Sequence, residues 1–303
     1  MSSLLEQPPS QFQFRRVNIG AVTLHVAEIG KGAPTLFLHG FPEYWRAFAP
    51  MMTQLCDQFR CIAPDQRGYN LSDRPHDVEA YHIDKLADDV AVLIETLGLG
   101  RVNLVAHDWG GVVAWHFAGK YYDLLDRLVI FNAPHPFCLQ HALDTDPVQR
   151  AASTYAARFA QHNSEQDLES QEPEDLWTAF FSRDEKQGWL GEGDKKAMLD
   201  AWAQPDAWRT MLNWYKAAGF DYSGANQAAR PIPPTIPPKI KAETLLVWGA
   251  ADPLFAPSCL TGLSDIVDAL TLKTIQGGGH AVFREDTVYF GNLVRAFLTA
   301  KSQ

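Results

Sequence analysis

Two hydrophobic rhythms alternate along this chain. Short apolar runs bounded by turn-forming residues read as buried strands, and stretches with apolar residues every three or four positions read as helices. The first two runs, Phe14–Ile19 and Val22–Glu28, set Val22, Leu24 and Val26 on one face and turn at Gly20, which predicts a hairpin. Thr35–Leu38, Cys61–Ala63, Val102–Ala106, Leu128–Phe131, Thr244–Trp248 and Leu270–Ile275 are the further candidate strands. Between them, Trp45–Phe59 reads as helical, and so does the segment carrying Leu86, Val90, Leu93 and Leu97, which stops at Gly98. Val112–Lys120 is a third helical stretch. Strands alternating with helices predict an α/β fold, a mostly parallel eight-stranded sheet with helices on both faces.

The alternation stops between Pro136 and Pro238. No strand pattern appears there, helical spacing dominates, and five of the nine tryptophans (Trp177, Trp189, Trp202, Trp208 and Trp214) fall in this stretch. An insert this apolar needs a surface to bury against, and the top of the sheet is the simplest one. The expected organisation is therefore a core formed by residues 1–135 and 239–303, with a helical cap over 136–238. Pro231, Pro233, Pro234, Pro237 and Pro238 read as a stiff linker back to the core.

Composition narrows the class of protein. With 303 residues, 46% of them hydrophobic, the chain can bury one large core, and no apolar run approaches a membrane span. The polar start Met1-Ser2-Ser3 has no signal-peptide pattern, so a cytoplasmic location is expected. A net charge of −10 argues against nucleic acid and for a small uncharged ligand. The four cysteines lack metal-ligand spacing and read as free thiols; no metal or cofactor is implied. The sequence leaves a homodimer open.

The chemistry sits where strands end. The run through Val105 and Ala106 breaks at His107-Asp108-Trp109-Gly110-Gly111 and re-opens at once as a helix, so Asp108 is presented on a sharp strand-to-helix turn. Taken alone, an acid there is an ordinary helix cap. As a nucleophile, however, a carboxylate with a reference pKa of about 3.9 is already ionised near neutrality. Its natural target is an sp3 carbon bearing a leaving group, since attack on an ester would give only a reversible anhydride. Asp252, after Trp248, and His280, after Gly277-Gly278-Gly279, each follow a strand at the same edge. The order is nucleophile, acid, histidine, which is a triad order. The turn His39-Gly40-Phe41-Pro42-Glu43 offers the Phe41 N–H, and the helix start offers that of Trp109, as an oxyanion pair. Charged residues of the loop Asp65–Asp73 read as a structural network.

These residues resemble the α/β-hydrolase superfamily and, within it, the epoxide hydrolases. His39–Glu43 and His107–Gly111 are similar to that family's oxyanion and elbow motifs, over nearly the whole chain. The resemblance implies two cap tyrosines that protonate the ring oxygen, one followed after three residues by Phe and one in an Asn-Trp-Tyr segment. Tyr155-Ala156-Ala157-Arg158-Phe159 and Asn213-Trp214-Tyr215 match them. The expected activity is opening of a small apolar epoxide by water to a vicinal diol.

Two other readings stay open. Haloalkane dehalogenases share the Asp elbow; their second halide donor, often an Asn after His-Gly, is Phe41 here, and a cap tryptophan would have to replace it. A binding protein that keeps the pocket without turnover is the other. Glu43 itself has two readings, as a holder of the hydrolytic water or as a solvated loop carboxylate.

Overall fold

A computed structural model describes residues 11–222 and 237–300. The N-terminal Met1-Ser2-Ser3 and the prolines Pro231, Pro233 and Pro234 lie outside the described residues. Eight strands form one sheet: β1 (Gln13–Asn18), β2 (Thr23–Ile29), β3 (Ala33–Leu38), β4 (Phe59–Pro64), β5 (Val102–His107), β6 (Leu125–Phe131), β7 (Glu243–Gly249) and β8 (Leu270–Ile275). Their spatial order is β1-β2-β4-β3-β5-β6-β7-β8. The hairpin β1–β2 and the β2–β4 pair are antiparallel, and every later pairing is parallel. Every residue of β5 is buried, as a central parallel strand covered on both faces requires.

The core helices are α1 (Ala49–Leu55), α2 (Ile83–Thr96) and α3 (Asp108–Lys120). Between β6 and β7 the described residues form seven helices: α4 (Pro136–Thr145), α5 (Pro147–Ala152), α6 (Thr154–Phe159), α7 (Glu165–Glu169), α8 (Pro173–Lys186), α9 (Glu192–Trp202) and α10 (Ala207–Ala217). α11 (Val282–Glu285) and α12 (Thr287–Thr299) follow β8. Among the described residues no helix is long and apolar enough to cross a membrane.

Several boundaries differ from the sequence reading, two of them with a plain cause. The helix expected over Trp45–Phe59 ends at Leu55, because Gln58 N–H turns back onto the Leu55 carbonyl and Phe59 pairs with Ala33 in the sheet. β6 starts three residues before Leu128, at Leu125, because the polar Arg127 is absorbed: its guanidinium bonds Glu243 and the carbonyls of Phe297 and Ala300 at 2.6–2.8 Å.

The insert is fastened to the core by its tryptophans and by α10. Trp202 Nε1 donates to the Pro42 carbonyl at 2.8 Å, and Trp214 Nε1 to that of Arg67 at 3.0 Å. Thr210 Oγ1 bonds the Gly68 carbonyl at 2.7 Å. The Asp65–Asp73 loop that receives α10 is the expected network: Asp65 bonds His25, Asn70 and the Trp45 N–H, and Arg67 pairs with Asp89. Trp177, Trp202, Trp208 and Trp214 are buried, while Trp189 is half-buried against Arg183. Cys61, Cys138 and Cys259 are free buried thiols and Cys56 is half-buried.

Candidate active site

No residue separates β5 from α3: His107 ends the strand and Asp108 begins the helix, at φ +51°. That left-handed backbone turns the carboxylate away from the sheet axis and toward the loops that follow β3 and β8. The turn is tight enough that a side chain at Gly110 would collide with the Leu38 and His39 carbonyls, and one at Gly40 with Asp108 itself. Glycine at both positions is a condition of the geometry.

Asp108 is buried. Its Oδ1 accepts the Phe41 N–H at 2.8 Å, and its Oδ2 lies 3.4 Å from His280 Nε2. His280 Nδ1 bonds Asp252 Oδ2 at 2.9 Å. The Asp252 side chain is wholly buried, with Oδ1 accepting the Leu254 N–H at 2.8 Å. Three residues far apart in sequence thus form one connected row: Asp108, His280, Asp252. Burial alone would push the His280 pKa down, but the carboxylates of Asp252 and Asp108 on either side raise it to about 10. Burial works against ionisation of Asp108 too; hydrogen bonding and charge from His280, with the Phe41 N–H, outweigh it and hold the pKa below the usual value. The resting pair is carboxylate and imidazolium.

Sequence reasoning missed Asn132. It follows β6 at φ +38°, its Oδ1 accepts the Gly249 N–H at 2.9 Å, and its Nδ2 donates to Asp252 Oδ2 at 2.8 Å. It therefore fixes the acid's orientation from the neighbouring strand end. The available signal was a polar residue closing the buried run Leu128–Phe131 at the same sheet edge as the other site groups.

Glu43 is not a solvated loop carboxylate. It is buried, and Arg284 of α11 bonds both Glu43 and Asp184 of α8. One cation thus holds together the Phe41 loop, the last core segment and the insert. Glu43 Oε2 also faces His107 Nδ1 at 3.7 Å, while His107 Nε2 bonds the His280 carbonyl at 3.1 Å. Burial keeps His107 neutral, its pKa far below the ordinary value.

Tyr155 (α6) and Tyr215 (α10) line a small cavity that also has Asp108 and Trp109 in its wall. Tyr215 packs edge-on against Trp109, ring centroids 4.9 Å apart, and against Phe41 at 5.2 Å. The two rings meet edge-on with centroids 6.3 Å apart, and burial followed by nearby negative charge raises both pKa values well above the ordinary phenol, so both stay protonated donors. The remaining wall is Val112, Leu139, Ala156, Phe220 and Phe255, together with Ser153 and Tyr222, neither of which the sequence reading singled out. None of the five insert tryptophans lines this cavity. Among the described residues no group of three or more His, Cys, Asp or Glu side chains could hold a metal ion.

Residues 34–287 match the alpha/beta hydrolase fold family. An AB hydrolase superfamily protein of Bacillus subtilis, YfhM, is 36% identical over 240 residues, 78% of this chain and 80% of that one. Epoxide hydrolase 1 of Caenorhabditis elegans is 29% identical over 295 residues, covering 94% of this chain and 70% of its own length. Among solved structures, an epoxide hydrolase variant from Bacillus megaterium bound to its diol product superposes with a TM-score of 0.87 at 30% identity, over 94% of this chain and 100% of that one.

Proposed function

Because this chain belongs to the α/β hydrolase fold family, we propose that it is an epoxide hydrolase, opening an epoxide to a vicinal diol through an ester on Asp108. The observation that carries the reading is two protonated phenols, Tyr155 and Tyr215, in one cavity with an ionised aspartate. Ring opening generates an alkoxide, and a phenol of reference pKa near 10 can protonate it. Halide loss needs no such proton.

In this reading Asp108 Oδ2 forms a bond to a ring carbon as the carbon–oxygen bond of the ring breaks, and a tyrosine proton passes to the departing oxygen. Oδ1, already bonded to the Phe41 N–H, becomes the ester carbonyl oxygen. Esterification removes the Asp108 charge, one of the two that hold His280 protonated. The imidazolium then gives up its proton, restoring the phenol. Neutral His280, oriented by Asp252, takes a proton from water as that water attacks the ester carbonyl. The amides of Phe41 and Trp109 stabilise the oxyanion, the proton on His280 leaves with the diol oxygen, and the proton left on the Asp108 carboxyl passes to His280, restoring the resting carboxylate and imidazolium. Glu43 and His107, facing each other beside His280, suit a water bridging the two.

The dehalogenase alternative loses its cap donors, since Trp202 and Trp214 spend their N–H groups on backbone carbonyls and no insert tryptophan reaches the cavity. Incubation with styrene oxide and, separately, with a bromoalkane tests the assignment: diol without halide release supports it. Halide release without diol selects the dehalogenase, and binding with no turnover in either wild type or Asp108→Ala selects the binding protein.

A further inference from the structure

Two hydrogen-bond donors in the cavity have no part in the chemistry above. Ser153 is 4% exposed, and its Oγ accepts from Gln149 Nε2 at 2.8 Å. The direction of that bond is fixed, because the Gln149 Oε1 accepts the Ala256 N–H at 2.7 Å while its Nε2 also donates to the Leu254 carbonyl at 3.0 Å. A hydroxyl that accepts in this way keeps its own proton to give. Among the described residues no acceptor takes that proton. Tyr222, on the stretch after α10, is anchored through the neighbouring Asp221 N–H, which donates to Gln140 Oε1 of α4 at 3.1 Å. The Tyr222 ring packs against Phe220, and its hydroxyl has no hydrogen-bond partner among the described residues.

The rest of the wall outside the reacting groups is apolar: Val112, Leu139, Ala156, Phe220 and Phe255. Uncommitted donors in such surroundings are costly when empty and discriminating when filled, because a ligand lacking the matching acceptor leaves them unpaired. Both groups offer a proton and neither carries charge, so the acceptor they fit is a neutral oxygen.

We infer that Ser153 and Tyr222 form a hydrogen-bonding subsite for an oxygen acceptor on the substituent of the epoxide. The preferred substrate class is then an epoxide bearing an ether, ester or carbonyl oxygen beyond the ring, in place of a plain hydrocarbon epoxide. This rests on the epoxide hydrolase reading and adds to it which epoxides are favoured.

The test compares kcat/KM for phenyl glycidyl ether with that for its isostere in which a methylene replaces the ether oxygen, in wild type, Tyr222→Phe, Ser153→Ala and the double variant, each checked for an unchanged thermal midpoint. The wild type favours the ether. Each single substitution lowers the ether-to-methylene ratio by roughly fivefold, the worth of one neutral hydrogen bond, and the double variant brings it near unity. A wild type without ether preference, or a ratio unmoved in the double variant while the methylene epoxide is still turned over, overturns the subsite alone. Absence of diol from both epoxides overturns the subsite and the epoxide hydrolase reading together.

Discussion

His280 Nε2 stands 3.4 Å from Asp108 Oδ2, close enough for the nucleophile to set the charge of the base that later acts on it. The two functions are sequential and share one proton. While Asp108 is ionised, His280 is held protonated, with its pKa raised to about 10; once Asp108 is an ester, that support is gone. Asp108→Asn mimics the neutral state, so the His280 pKa falls in this variant by at least about one unit, a free-energy change of about 1.4 kcal/mol. Histidine ring NMR across a pH titration reads it. By the same sign, ester hydrolysis gains rate with rising pH through an apparent pKa below that of the free enzyme's His280. A His280 still titrating near 10 in Asp108→Asn would make Asp252 the sole support.

Removing the base stops the cycle after the first half. In His280→Gln the ester forms and persists, and intact-protein mass spectrometry shows an increase equal to the substrate. A variant that is inactive but carries no adduct contradicts the covalent step.

The phenols act in the first half. Replacing Tyr155 and Tyr215 together by Phe removes the ring-opening proton, and kcat/KM falls by about 10²–10⁴, the usual worth of general acid catalysis. Single variants lose less, since each phenol remains in the same cavity as the other. Near-normal rates in the double variant would remove the epoxide argument.

Arg284 is a stability element as well as a tie between the insert and the core. Arg284→Leu leaves the buried Glu43 and the half-buried Asp184 without their cation, at a cost of about 3–5 kcal/mol. Thermal unfolding reads the loss, and adding Glu43→Gln and Asp184→Asn to the same chain restores much of the midpoint. If the triple variant is no more stable than Arg284→Leu alone, lost packing against Phe181 and Phe283 explains the effect instead.

The parts of this molecule that were legible in sequence are those with local causes. β5 reads as a strand because its whole length is buried, and Asp108 stands out because it interrupts the chain directly after that run; Asp252 and His280 follow β7 and the more exposed β8 in loops at the same edge. Tyr155 and Tyr215 needed a resemblance, since a cap tyrosine looks the same whether it packs or protonates. Asn132, Arg284 and Ser153 escaped altogether. Their meaning lies in partners 120, 241 and 100 residues or so away, Asp252 for the first, Glu43 for the second and, through Gln149, the Leu254–Ala256 loop for the third. Such pairings leave no periodic trace. The Trp45–Phe59 stretch failed for the opposite reason: its spacing suits a helix throughout, but pairing with β3 claims Phe59 for the sheet.

A single turnover with enzyme in excess over epoxide, run in water enriched in heavy oxygen, addresses the covalent aspartate directly. The account predicts an unlabelled diol, its new oxygen drawn from Asp108, with the label found in the Asp108 carboxylate by peptide mass spectrometry. Label in the first-turnover diol and none in the protein would mean that water attacks the ring itself, and would contradict it.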